Sequence, residues 1–171
     1  MTHMTADLYW IPLDSPGRLA ITARPRGGDW LGDEIDGWKR AGVGMVISLL
    51  TPDEESELEL TGEAVECDAR GVRLVSLPVT DCSTPADRSA FDEVVNEVVT
   101  ALGNGVRIAI HCRQGIGRSA LLAAAVLKAT GFTTDEAVRR VSVARGRPIP
   151  ETPEQADWLA RYHVSTPLSS R

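Results

Sequence analysis

Apolar residues recur along this chain in two rhythms, short continuous runs and stripes at helical spacing, and the two alternate. Leu8–Ile11 and Leu19–Thr22 read as two short antiparallel strands around the turn cluster Asp14-Ser15-Pro16-Gly17. Residues 29–40 read as a helix on which Trp30, Leu31, Ile35 and Trp38 can share a face. Gly42-Val43-Gly44 stops it and leads into a buried strand, Met45–Leu50. Thr51-Pro52-Asp53-Glu54-Glu55 opens a short acidic helix, and 61–70 predicts another. A strand at Val72–Leu77 and a Pro-bounded loop follow, then a helix to about Leu102 with Phe91, Val94, Val95, Val98 and Val99 inward. Asp87 stands in its first turn, with Ser83 or Thr84 expected to cap it and Pro85 near its start. The run Val106–Ile110 is a strand, and Ala120–Leu127 is so apolar that it reads as a buried helix. Thr133-Thr134-Asp135-Glu136 caps a helix to about Ala144, and Glu151 or Thr152 starts the last one, to about Tyr162.

Helices alternating with buried strands imply an α/β fold: a central, mainly parallel sheet of four to five strands, flanked by helices on both faces. No linker, repeat or low-complexity tract interrupts the pattern, so residues 1–164 are expected to form a single domain and 165–171 a flexible tail. With 171 residues, 43% hydrophobic and 25% charged, one domain with a sizeable core is the natural size. A net charge of −6 speaks against general binding of nucleic acid or of anionic membranes, and no run approaches a membrane span. The start Met1-Thr2-His3-Met4-Thr5-Ala6-Asp7 has no secretory pattern, and three cysteines fit a reducing compartment, so a cytoplasmic monomer is expected.

Candidate chemistry concentrates in His111-Cys112-Arg113-Gln114-Gly115-Ile116-Gly117-Arg118-Ser119, between the strand at 106–110 and the apolar helix. Strand, tight loop and helix aim backbone N–H groups and a positive helix end at an anion. A thiolate, the nucleophilic form of cysteine, needs such surroundings, and Cys112 has them. Arg118 offers a planar two-pronged grip on phosphate oxygens. Gly115 and Gly117 let the backbone turn inward. Ser119 is placed to donate to the Cys112 sulfur, and His111 to orient the loop through its ring nitrogens. The combination points to phosphoryl chemistry. The Walker-type nucleotide loop is excluded by the missing Gly-Lys-Ser/Thr ending.

The nine residues resemble the His-Cys-x5-Arg-Ser/Thr signature of the cysteine-dependent protein tyrosine and dual-specificity phosphatases. That resemblance implies Cys112 as nucleophile, Arg118 as phosphate clamp, Ser119 as thiolate partner and the loop residues Arg113, Gln114, Gly115, Ile116 and Gly117 around the substrate. It also implies an upstream aspartate, first as general acid and then as base for the water that hydrolyses the phosphoenzyme, and no metal or other cofactor. Asp81, in Leu77-Pro78-Val79-Thr80-Asp81-Cys82-Ser83-Thr84-Pro85, fits best, on a loop at a strand's C-terminal end; Asp87 competes. With Trp30-Leu31, Gly42-Val43, Val46–Leu50 and Glu54, the resemblance narrows to small phosphatases related to the cyclin-dependent-kinase-associated phosphatase, over about residues 10–162. Glu54 would brace Arg118 or merely begin a solvated acidic helix; Gln155 would orient the hydrolytic water or project from a first helical turn.

The expected substrate is a phosphorylated protein, phosphotyrosine above phosphoserine or phosphothreonine. Arg113 leaves a phosphoinositide or another small phosphoester open, but Ile116 stands where a second basic residue would favour lipids. A non-catalytic phosphate-binding module is the remaining alternative, as is a sulfur-transfer loop of the rhodanese kind. Cys67 and Cys82 are candidates for redox pairing with Cys112, against the simpler reading of bystanders.

Overall fold

A computed structural model describes residues 7–163. Five strands form one sheet in the order β1-β2-β5-β3-β4: β1 (Tyr9–Trp10), β2 (Arg18–Thr22), β3 (Val43–Ser48), β4 (Arg73–Ser76) and β5 (Arg107–His111). Only β1 runs antiparallel, against β2; the other three pairings are parallel. The expected α/β architecture is therefore found, including the opening hairpin. The tail at 165–171 lies outside the described residues.

Seven α-helices cover the sheet: α1 (Leu31–Arg40), α2 (Pro52–Glu57), α3 (Glu63–Ala69), α4 (Arg88–Gly103), α5 (Arg118–Ala129), α6 (Thr134–Arg145) and α7 (Pro153–Arg161). Alternation along the strands divides the core in two. Ile47, Ile108 and Ile110 face α4, α5, α6 and α7, while Val46 and Ala109 face α1 and α3, where Ile35, Trp38 and Cys67 close the second layer. The two layers put helices on both faces, as the pattern predicts.

The helix starts follow from their first residues. Thr51 and Glu54 form a capping box on α2, Thr152 and Gln155 another on α7, each with Pro at the first turn. Three details differ from expectation. The cap of α4 is Asp87, whose carboxylate accepts from Ala90 N at 3.0 Å; neither Ser83 nor Thr84 caps it, because Ser83 is held in a turn by its own N–H to Thr80 O. Trp30 does not share the buried face of α1: it ends a 3-10 turn (Gly28–Trp30), 56% exposed, with Arg26 over its ring. Val99 is only half-buried, at the edge of the inward stripe on α4.

Helix α5 follows β5 from the middle of the sheet, and Arg118 through Leu127 are all buried. This apolar rod fixes what precedes it. Beyond the ladders, Leu49 N donates to His111 O at 3.0 Å, Leu77 N to Ser48 O at 2.8 Å and Val79 N to Leu49 O at 3.1 Å. The C-terminal ends of β3, β4 and β5 are thus stitched together, which is where open α/β sheets place their sites.

Candidate active site

Residues 112–117 turn from β5 into α5 and enclose, with Arg118, a cavity of about 50 Å³. Gly115 carries φ +73°, and a Cβ there would stand 2.6 Å from Thr22 O, so a side chain would meet both backbone strain and the β2 chain. The turn brings Gly115 N–H within 3.3 Å of Cys112 Sγ. From outside, Arg145 Nε donates to Gly115 O at 3.2 Å and its Nη2 to Gln114 O at 3.3 Å, holding the loop's carbonyls outward.

Arg118 lies across the floor with its side chain 1% exposed. Glu54 takes it with both oxygens, Oε1 from Nη1 at 2.7 Å and Oε2 from Nη2 at 3.0 Å. Nη1 also donates to Val79 O at 2.8 Å and Leu49 O at 3.3 Å. Burial opposes the charge, but the bonds to Glu54 and the fields of Cys112, Glu54 and Asp81 outweigh it and raise its affinity for its proton. In return, the hydrogen bond from Arg118 lowers the Glu54 carboxyl to about 2. The Arg118 Nε–H, also buried, has no partner among the described residues. A charged donor without a partner, on a side chain that lines a cavity, is suited to an oxyanion.

Asp81 stands at the rim, half exposed, with Oδ1 3.2 Å from Arg118 Nη2 and accepting from Cys82 N at 3.0 Å. Its loop is tied down by Gln155, which is fully buried rather than projecting from the first turn of α7. Gln155 Nε2 donates to Ser83 O at 3.1 Å while its Oε1 accepts from Thr152 N at 3.3 Å. Asp87, the competitor, caps α4 and does not line the cavity.

His111 is sealed beneath the loop. Its Nε2 hydrogen-bonds Glu63 Oε2 at 2.7 Å, and its ring lies 5.9 Å from that of Trp38. Arg113 borders the cavity, but its guanidinium pairs with Glu57 at 3.1 Å. Ile116 is buried in the loop, Gly117 precedes α5 as its N-cap, and Gln114 is exposed.

The Ser119 hydroxyl makes no bond to the Cys112 sulfur here. Buried in the first turn of α5, Ser119 Oγ has no hydrogen-bond partner among the described residues, and the Gly115 N–H donates to the Cys112 sulfur. Of the other cysteines, Cys67 sits in the second core layer, where burial pushes its thiol up to about 12, and all three are free. Cys82 is exposed beside Asp81, and the negative charges of Asp81 and Glu151 raise its thiol.

Three residues around the site have no role assigned from the sequence: Glu63, Arg145 and Glu151. Glu151 lines the cavity opposite Asp81, close enough that a Cβ on Gly117 would stand 2.7 Å from its Oε2. Asp81, Cys82 and Glu151 also bring their ligand atoms within 4.8 Å of one another, an exposed trio of metal-ligand type.

Comparison with known proteins extends this picture. A family model described as "Polymorphic toxin system, DSP-PTPase phosphatase" matches residues 23–132. Cyclin-dependent kinase inhibitor 3 of Rattus norvegicus is 28% identical over 137 residues, covering 78% of this chain and 64% of the relative. The Homo sapiens protein of the same name is 33% identical over 98 residues, covering 55% of this chain and 46% of the relative. The chain thus spans between about half and two thirds of the length of these relatives. The structure of kinase associated phosphatase with serine in place of its catalytic-site cysteine superposes with a TM-score of 0.82 at 21% identity, over 92% of this chain and 94% of the other. The family model takes in well over half of the chain, including the whole turn from β5 into α5, and the chain belongs to this DSP-PTPase family of tyrosine and dual-specificity phosphatase domains.

Proposed function

We propose that this protein hydrolyses phosphate monoesters through a phosphocysteine intermediate, acting on phosphotyrosine in proteins and more slowly on phosphoserine or phosphothreonine. One observation carries the reading: Cys112 and an Arg118 clamped by Glu54 line one small cavity, with Asp81 at its rim. In the first step the Cys112 thiolate attacks phosphorus while Arg118 and the loop N–H groups stabilise the equatorial oxygens. Asp81 protonates the leaving oxygen. In the second step water displaces Cys112 and phosphate departs. His111, fixed by Glu63, holds the loop's entry, and Glu54 holds Arg118. Ser119 Oγ, with no partner of its own, is the remaining donor near the start of α5 for the sulfur as it leaves.

The substrate ranking rests on Arg113 and Ile116. A lipid or polyphosphate substrate needs extra positive charge at the loop, and Arg113 is engaged with Glu57 while Ile116 is apolar. The three free cysteines support a reducing, cytoplasmic setting, and the single sheet with two packed layers supports one domain.

The test is phosphate release in metal-free buffer from matched phosphotyrosine, phosphoserine and phosphothreonine peptides and from a phosphoinositide, with Cys112→Ser alongside. Turnover on the phosphotyrosine peptide that disappears in the variant is expected. Phosphoinositide turned over faster than phosphotyrosine would reverse the ranking, and turnover surviving Cys112→Ser would remove the cysteine mechanism. Asp81→Asn should slow the reaction about a hundredfold or more, less for substrates with good leaving groups.

A further inference from the structure

Hydrolysis of a phosphocysteine needs a group that takes a proton from water on the side of phosphorus opposite the sulfur. Two carboxylates line the cavity, Asp81 from the loop after β4 and Glu151 from the turn before α7. Their surroundings differ. Asp81 Oδ1 is committed to Arg118 Nη2 at 3.2 Å and to Cys82 N at 3.0 Å. Glu151 has no cation within ion-pair distance among the described residues, and its side chain's one hydrogen-bond partner among them is the Cys82 thiol, 3.9 Å from Oε2. The side chain that sequence reasoning would assign to the water, Gln155, is buried, with its oxygen taken by Thr152 N and its nitrogen by Ser83 O.

Resting on the phosphocysteine reading, we propose that Glu151 is a catalytic residue of the second step, the base that positions and deprotonates the hydrolytic water. Its Oε2 lies against the open face of Gly117, the residue that ends the phosphate loop. One of its oxygens is within 4.8 Å of an Asp81 oxygen, a gap that one water spans with two ordinary hydrogen bonds. The water oxygen bonds to phosphorus as the S–P bond breaks, Cys112 leaves as thiolate, the proton passes to Glu151 and phosphate departs. Asp81 is then chiefly the acid of the first step. The two carboxylates divide between them the labour usually given to one.

The two steps separate in kinetics, since kcat/KM reports events up to phosphocysteine formation and kcat includes its hydrolysis. Glu151 is exposed and Glu151→Gln keeps its size, so the variant retains the fold. Stopped-flow assays on p-nitrophenyl phosphate should show Glu151→Gln with kcat lowered tenfold or more, kcat/KM within about twofold of wild type, and a burst of nitrophenolate equal to the enzyme present. Phosphocysteine trapped by acid quench should decay more slowly by the same factor, and Glu151→Asp should restore part of the rate. Phosphocysteine decaying at the wild-type rate in Glu151→Gln, or kcat and kcat/KM falling together, would overturn the proposal. If nitrophenolate release survives Cys112→Ser, the phosphocysteine reading itself falls; a Cys112-dependent enzyme with an indifferent Glu151 removes only the assignment made here.

Discussion

Glu54 shows how much one residue is asked to do. It belongs to the capping box of α2 through Thr51 and at the same time holds Arg118 with both oxygens. The guanidinium bond lowers its carboxyl from 4.5 to about 2, so between those values the unfolded chain binds a proton that the folded one refuses. The stabilisation is therefore complete above pH 4.5 and disappears as pH falls towards 2, and it amounts to about 3 kcal/mol. Glu54→Gln should lower the urea-unfolding free energy by about that amount at pH 7. The gap between variant and wild type should close as pH is taken from 4.5 downwards. A gap independent of pH would show that the ion pair contributes nothing. Legibility at this scale was uneven. Cys112 and Arg118 stand out because their spacing is itself a chemical pattern. Glu63 and Glu151 do not, since an acid buried against a histidine and an acid on a solvated turn look alike until the chain is folded.

At the scale of elements, α7 is more than a terminal helix. Through Gln155 its first turn holds Ser83 O, and through Ser83 the loop that presents Asp81. Removing the amide with Gln155→Ala takes away half a capping box and one tether, a loss of about 1–2 kcal/mol in stability. The loop's freedom should also reduce proton donation, so kcat/KM should drop more for phenyl phosphate than for p-nitrophenyl phosphate, whose leaving group needs little help. An equal drop on both would mean that Gln155 acts only on stability. Long periodic elements were legible here: α1, α4 and α5 lie within a few residues of their apolar stripes. The start of α4 was not, because Ser83, Thr84 and Asp87 are all good caps in isolation. The turn at 80–83, closed by a backbone hydrogen bond, decides among them.

For the molecule as a whole, the sheet carries two unequal core layers, and the phosphate-loop helix belongs to the larger. The smaller layer nevertheless reaches the site: Trp38, fully buried among Ile35, Val46 and Cys67, lies 5.9 Å from the His111 ring that anchors the loop. On the opposite face Phe91 stacks edge-on with Trp158 and Tyr162, and the Tyr162 hydroxyl donates to Asp92 at 2.7 Å. If the two layers are one cooperative unit, damage to either must lower the same transition. Trp38→Ala and Phe91→Ala should each cost about 3–5 kcal/mol, with unfolding followed by far-UV dichroism and by tryptophan fluorescence remaining coincident in both variants. Trp38→Ala should additionally lower turnover at temperatures well below its melting point, since the cavity it leaves lies against His111, whereas Phe91→Ala, in the core layer on the other face of the sheet, should not. Two separated transitions in either variant would mean that the layers fold independently and that the loop is held by the larger one alone.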